Sequence, residues 1–284
     1  MELAQTIING LLLGGLYAIV GLGMSLIFGI VKLTNLAHGE FVIVAAYLAT
    51  VVVNVFGLHP LASLILVAPV MFVIGYLVQN LLVTRVLHRG VEPPLLIMFG
   101  LSVILQNLLL QIFTADPHYL HSEFGKSNLS FGGIGVSVMN LLNLCIGVLV
   151  IALLHCYLKY TYSGRSIRAA SDDTTGAQLM GVNVKNTYGI AMGVAMAISA
   201  VAGVLVGMSY NFYPTTGSQY LIIAFGVVVI GGIGSIFGTL LAGLIFGLSQ
   251  LLGSHFFGTG VQMLAGYVAI VIMLAFRPQG LFSR

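Results

Sequence analysis

Residues 9–41 read NGLLLGGLYAIVGLGMSLIFGIVKLTNLAHGEF, an apolar run followed by a short polar cluster. The apolar part is long enough to cross about 30 Å of hydrocarbon as a helix. The whole chain continues this character, with 59% hydrophobic and only 6% charged residues and a mean hydropathy of +1.09. A soluble domain carries about 25% charged residues, so this chain cannot cover a soluble fold. We therefore predict an all-α, polytopic transmembrane helical bundle.

Apolar segments recur along all 284 residues, which predicts a single transmembrane domain, 1–284, with about eight to nine spans. The first two segments run together, as do the seventh and eighth, so we expect at least one broken span. The first segment lacks a basic region before it, and we expect it to remain as a span. The predicted segments are 5–31, 36–56, 61–83, 94–114, 137–158, 187–209, 219–234, 237–253 and 261–276.

Small residues recur at intervals of four in three of these segments, which lines one helix face with small side chains. Such faces let helix backbones approach closely. They are typical of bundle packing, with a mobile interface in a transport cycle as the alternative. The residues are Gly10, Gly14 and Ala18; Ala195, Ser199, Gly203 and Gly207; and Gly243 and Gly247.

Basic residues in short connections predict the orientation, because cytoplasmic loops of membrane proteins are enriched in Lys and Arg. They follow the third segment, fill the connection after the fifth, and end the chain. We therefore expect these three regions, and the carboxy terminus, to be cytoplasmic. Counting back places the amino terminus outside, although a broken helix in the first 56 residues would reverse that assignment. The residues are Arg85, Arg89, Lys159, Arg165, Arg168, Lys185, Arg277 and Arg284.

The sequence lacks the residues that several other functions require. The net charge of +3 gives no basic patch suited to nucleic acid. Cys145 and Cys156 lie about 16 Å apart on a helix, too far for a disulfide, and too few ligands surround them for a metal site. The tripeptide 125–127, GKS, has Leu120 where a phosphate-binding loop needs glycine. We expect no catalytic residues, no metal and no cofactor in this chain.

The connection 159–186 carries the longest charged stretch of the chain. Ser163 is a candidate cap for a first helix beginning at Gly164, and Ser171 or Asp172 for a second helix running through Met180. We expect Gly181 to stop that second helix, and Ala177 and Met180 to share a face with Leu179 beside them. Apolar side chains on such a loop favour docking to a protein partner. The alternative is a solvated loop that only satisfies the charge rule.

Polar residues inside apolar segments are candidates for a solute path, because they are costly in hydrocarbon unless they face a cavity or a partner. Asn35, His38 and Glu40 fall where the first two segments are interrupted, with a short cytoplasmic turn as the alternative. Asn107 and Gln111 share a helix face with Gln106 alongside, and interhelical hydrogen bonds are the alternative there. Three residues of the first segment complete the candidate path: Asn9, Tyr17 and Ser25.

Together, three stretches resemble one family, the permease subunits of branched-chain amino acid ABC importers of the LivH type. They are residues 9–41, residues 164–184, GRSIRAASDDTTGAQLMGVNV, and residues 227–243, VVVIGGIGSIFGTLLAG. The resemblance covers nearly the whole chain in the same order. It implies a multi-pass protein of the bacterial plasma (inner) membrane that is a transport subunit rather than an enzyme.

The resemblance also implies partners: a second, homologous permease, two cytoplasmic ABC ATPases that bind ATP and Mg, and an extracytoplasmic solute-binding protein. Residues 172–181 would then be a coupling helix seated in a cleft of an ATPase. One departure is Thr174-Thr175-Gly176, where the family often has alanine or bulkier helix formers; glycine disfavours a helix, so the coupling helix is expected to be short. The residues assigned to coupling are Arg165, Arg168, Ser171, Asp172, Asp173, Gln178, Leu179, Met180 and Gly181.

Two alternatives stay open from the sequence. The same family architecture could import urea, short amides or other amino acids. A stand-alone channel or ion-coupled carrier is the alternative from another class, motivated by His38 and Glu40 near a helix break.

Overall fold

The computed structural model describes residues 2–31, 34–90, 92–122, 124, 128–131, 134–277 and 279–282. Lys126 and Arg284, which the sequence arguments used, lie outside these ranges. The described helices are α1 (Glu2–Val31), α2 (His38–Phe56), α3 (Leu64–Val86), α4 (Glu92–Phe113), α5 (Val138–Tyr160), α6 (Tyr162–Asp172), α7 (Thr174–Leu179), α8 (Val184–Ser209), α9 (Gly217–Gly231), α10 (Ile236–Phe257) and α11 (Gln262–Phe276).

Nine helical segments in the described residues are long and apolar enough to cross a membrane. They are α1 to α5 and α8 to α11, which confirms the predicted all-α bundle of eight to nine spans. The span α3 contains an internal π-helical turn at Gln79–Val83. A small antiparallel hairpin, β1 (Asn128–Phe131) and β2 (Ile134–Ser137), precedes α5.

Helix α1 lies at the centre of the bundle. Its most apolar window is 89% buried, whereas the corresponding windows of α4 and α11 are 11% buried. It packs against α5, α8, α9 and α10. Small residues explain this position, because Gly14, Gly15 and Gly23 each let the backbone of a different helix approach α1.

The small-residue pattern places α1 directly on α10. A Cβ added to Gly14 would lie 2.5 Å from Leu244 Cα and 2.7 Å from Gly243 O. A Cβ added to Gly247 would lie 2.6 Å from Gly10 O. The two backbones are therefore in contact, and the predicted bundle packing is confirmed.

Helix α2 begins deep inside the bundle rather than at its end. His38, its first residue, has ring Nε2 2.9 Å from the carbonyl oxygen of Val20. Val20 lies about 16 Å before the end of α1, at 1.5 Å per residue. Helix α9 also begins at this place, because a Cβ added to Gly39 would overlap the Gly217 carbonyl oxygen and lie 2.7 Å from Leu221 N. The predicted interruption between the first two segments is thus real, and a second helix start faces it.

Candidate functional site

Helices α6 and α7 form a folded unit between the fifth and sixth spans, which we call the foot (residues 161–183). Thr161 caps α6, since its Oγ1 accepts a hydrogen bond from the Gly164 N–H at 3.0 Å. The prediction that Ser163 caps this helix is wrong, because Ser163 already lies within α6. Its hydroxyl is instead 2.8 Å from the Tyr157 hydroxyl. The first helix therefore begins at Tyr162, two residues earlier than predicted.

Asp173 caps α7, the helix predicted to dock a partner. Its Oδ1 accepts hydrogen bonds from the N–H groups of Thr175 and Gly176, each at 3.0 Å. The predicted caps, Ser171 and Asp172, are wrong because both still belong to α6. Extended backbone at Asp173, with φ −145° and ψ 104°, separates the two helices and is the conformation that an N-cap requires.

The short length of α7 agrees with the expectation from its glycine. It covers Thr174–Leu179, not 172–180. A Cβ added to Gly176 would lie 2.6 Å from Asp173 Oδ2, so glycine leaves room for the capping carboxylate. Gly181 follows with φ +83°, as predicted for a residue that stops a helix.

The foot is attached to two membrane helices. The Ser171 hydroxyl donates a hydrogen bond to the Gly29 carbonyl oxygen of α1 at 2.7 Å. The Thr174 hydroxyl lies 3.3 Å from the Tyr188 hydroxyl of α8. Ala177 is buried. The foot is therefore held to the bundle by a bond from α6 to α1 and a contact from α7 to α8.

The free surface of the foot carries two large apolar side chains. Leu179 and Met180 are 84% and 85% exposed, while Ala177 is buried. The prediction that Ala177 and Met180 share a face is wrong, because α7 ends at Leu179 and Met180 lies beyond its last helical residue. Of the other residues assigned to coupling, Ser171 is half-buried. The remaining six are exposed: Arg165, Arg168, Asp172, Asp173, Gln178 and Gly181. An exposed apolar pair at the tip of an anchored unit is suited to protein contact.

The polar cluster at the helix break is buried. Asn35, His38 and Glu40 are at most 5% exposed. Asn35 Oδ1 accepts a hydrogen bond from the Ala37 N–H at 3.0 Å and closes a turn, but this turn is buried in the bundle. His38 and Glu40 lie in α2 instead. Within the described residues, Asn35 Nδ2, His38 Nδ1 and Glu40 Oε2 have no hydrogen-bond partner.

Glu40 lies where the two interior helix starts meet. Its carboxylate is against Gly217, the first residue of α9, and a Cβ on Gly217 would overlap it. The amino end of a helix carries a partial positive charge and favours an anionic side chain nearby. The Glu40 side chain therefore lies between the start of α2 and the start of α9.

The other candidate path residues lie in separate places. Tyr17 donates a hydrogen bond to Gln250 Oε1 at 2.6 Å. Ser25 is buried and lines a 520 Å³ cavity beside the foot. Asn9 Nδ2 donates to the Gly135 carbonyl oxygen at 3.0 Å and so holds β2 against α1. Among the described residues, Gln250 is a partner of Tyr17 that the sequence analysis missed. A glutamine within an apolar segment could have indicated it as a candidate.

The α4 residues face away from these sites. Asn107 and Gln111 are exposed and Gln106 is half-buried. Asn107 Nδ2 donates to the Val103 carbonyl oxygen of its own helix at 2.8 Å. The structure therefore does not bring the α4 group together with the cluster at the helix break.

We predict that Glu40→Leu and Asn35→Leu reduce solute uptake more than they reduce assembly of the transporter. Leucine still fills space in the bundle, but it lacks the polar atoms that Asn35 and Glu40 carry where α2 and α9 begin. The measurement compares uptake with the amount of assembled complex in the same membranes. Glu40→Gln is the control that keeps the shape and a polar group. Wild-type uptake by both leucine variants would show that the two residues only shape the turn.

The described residues form a polytopic membrane bundle of nine apolar helices, with α1 buried at its centre and an anchored foot between two of the spans. A family model described as the permease component of the branched-chain amino acid transport system matches residues 6–276. The chain belongs to this family, as the sequence resemblance predicted, and it is a transmembrane permease of the ABC transporter class.

Individual relatives agree with this assignment. The high-affinity branched-chain amino acid transport system permease protein BraD of Pseudomonas aeruginosa is 30% identical, over 99% of this chain and 95% of the relative. The corresponding permease protein LivH of Escherichia coli is 26% identical over the same shares. The permease protein LivM of Escherichia coli is also 26% identical, over 94% of this chain and 67% of the relative. These relatives are transport permease proteins by name.

Proposed function

We propose that this chain is the permease subunit of an ATP-driven importer for branched-chain amino acids in the bacterial inner membrane. It would form the translocation path with a second, homologous permease. Two cytoplasmic ATPases would bind ATP and Mg, and an extracytoplasmic binding protein would deliver the solute. Support for the cargo comes from the names of the relatives, and support for paired permeases comes from the similarity to both LivH and LivM.

The observation that carries the proposal is the construction of the foot. Its tip presents Leu179 and Met180 to solvent, while its base is bonded to α1 and α8. Two large apolar side chains exposed next to each other form a patch of the kind that marks protein contacts, which a solvated loop does not need. A cleft in an ATPase would bury them, as a groove buries the apolar face of a short helix.

In the proposed mechanism, the foot converts ATPase closure into movement of the bundle. ATP binding closes the two ATPases and displaces α7 in each permease. The bonds from Ser171 to Gly29 and from Thr174 to Tyr188 pass this displacement to α1 and α8. Helices α2 and α9 begin beside the middle of α1, so a shift of α1 alters their packing around Glu40. Hydrolysis then resets the permeases, which gives alternating access.

The test is reconstitution of the chain with its partner permease, ATPases and binding protein in proteoliposomes. We expect uptake of radiolabelled leucine that requires ATP, the ATPases and the binding protein together. Leucine flux through the chain without the ATPases would contradict the proposal and favour a stand-alone carrier. ATP-driven uptake of urea or an amide, with no uptake of leucine, would overturn only the assignment of the transported solute.

A further inference from the structure

A cavity of about 290 Å³ extends from Tyr17, near the middle of α1, toward the end of the bundle opposite the foot. Helix α8 begins beside the foot and has 26 residues, so its far end is about 39 Å away. The cavity is enclosed by α1, the chain after α8, the start of α9 and the start of α11. Polar side chains line it: Tyr17, Tyr210, Asn211, Gln219, Tyr220 and Gln262.

The floor of the cavity is fixed by Tyr17. Helical side chains lean toward the amino end of their helix, so Tyr17 points out of the bundle centre toward this cavity. Its hydroxyl donates to Gln250 Oε1 at 2.6 Å, and its ring packs edge-on against Phe246 with centroids 5.2 Å apart. Gln250 Nε2 in turn lies 3.4 Å from the sulfur of Met263, which lines the cavity. These contacts hold Tyr17, at the floor of the cavity, against α10 and link α10 to Met263 of α11.

The chemistry of the lining selects against ions of a single charge. No Asp, Glu, Lys or Arg is among the described residues that line the cavity. A lone cation or anion would therefore find no opposite charge among these residues. Tyrosine hydroxyls and carboxamides can, however, donate to a carboxylate and accept from an ammonium group within one molecule. Ile223 and Met263 supply an apolar patch beside them.

The size of the cavity suits a small solute. At about 290 Å³, it lies near the lower end of the range of about 300 to 1,000 Å³ in which ligand pockets fall. A small aliphatic amino acid such as leucine is within the size that such a cavity holds.

We propose that this cavity is a binding site for a zwitterionic amino acid with an aliphatic side chain, such as leucine. Tyr210, Tyr220 and Gln219 would hold the charged groups, and Ile223 and Met263 would contact the side chain. The inference rests on the proposed function and adds to it a solute site in the permease itself.

Gly260 allows a test that leaves the floor of the cavity intact. It lines the cavity, and a Cβ added to it meets no atom within 4 Å. A cysteine there can be introduced after Cys145 and Cys156, which are free and exposed, have been replaced by alanine. The matched control is Ser254→Cys, which lines a separate cavity with Glu2 and Thr6.

The experiment measures the rate at which a small thiol reagent modifies Gly260→Cys in the complete transporter in nanodiscs. We expect millimolar leucine to slow the modification at Gly260→Cys and to leave it unchanged at Ser254→Cys. Leucinol, which lacks the carboxylate, and 4-methylpentanoate, which lacks the ammonium group, should protect less. Equal protection by all three compounds would overturn the zwitterion assignment. Absence of protection in a preparation that still imports leucine would overturn the site and leave the proposed function standing.

A second variant pair tests whether the cavity is used in transport. Gly260→Phe should fill the cavity and lower leucine uptake by about tenfold or more, the effect of losing one or two hydrogen bonds to charged groups. Gly260→Ala should retain wild-type uptake, and both variants should retain the ATPases. Wild-type uptake by Gly260→Phe would contradict a role for the cavity in transport.

Discussion

Leu179→Asp and Met180→Asp are each expected to abolish recruitment of the ATPases. Both side chains are more than 80% exposed, so neither substitution disturbs the packing of the permease itself. In the complex, a carboxylate would be buried without a partner, which is strongly unfavourable. Loss of an apolar anchor at the centre of an interface weakens binding by about 2 kcal/mol or more, roughly 30-fold. Copurification of the ATPases with the permease measures the effect.

Leu179→Met and Met180→Leu are the matched controls for this prediction. They keep the apolar volume and should retain the ATPases. All four variants should insert in the membrane in wild-type amounts, because the foot lies outside the spans. ATPase copurification that is unchanged in both aspartate variants would show that α7 is not the docking element.

Gly39→Ala is expected to give the second large effect, by forcing α2 away from α9. A Cβ at this position would overlap the Gly217 carbonyl oxygen and crowd Leu221 N, and both are backbone atoms that cannot rotate away. Overpacking in a close-packed core costs about 1 to 3 kcal/mol, and a backbone overlap belongs at the upper end. The midpoint of thermal aggregation of the purified permease should therefore fall.

Gly100→Ala is the control for a glycine-to-alanine change in a membrane span. A Cβ on Gly100 meets nothing within 4 Å, and alanine is favoured over glycine within a helix. This variant should therefore keep or raise the wild-type midpoint. If Gly39→Ala behaved like Gly100→Ala, the close approach of the two interior helix starts would be disproved.

The spans and their packing were predictable from sequence for physical reasons. Each span needs a continuous apolar stretch, because hydrocarbon offers no partners to backbone groups. Small residues spaced four apart predicted faces of close helix packing, but not that Gly14 of α1 would contact Gly243 of α10. The family also followed from sequence, because three motifs occurred in the expected order. Gly181 ended the second foot helix as predicted, since it adopts positive φ.

The caps and the interior geometry were not predictable in the same way. Ser163 and Thr161 are both good cap residues, and the choice depended on Tyr157, which bonds the Ser163 hydroxyl. The depth at which α2 begins depended on the His38 contact with Val20, a tertiary contact with no periodic signal. The candidate solute-path residues were chosen by polarity alone, and polarity does not distinguish the buried Tyr17 from the exposed Asn107.

The most direct test of the account is the side of the membrane on which the foot lies. Met180→Cys, in a background with Cys145 and Cys156 replaced by alanine, would be treated with a membrane-impermeant maleimide. The account predicts no labelling in intact cells, labelling in inside-out vesicles without the ATPases, and protection when the ATPases are present. Gly260→Cys, at the opposite end of the bundle, should label in intact cells. Labelling of Met180→Cys from outside the cell would contradict the proposal that ATPases drive this permease through the foot.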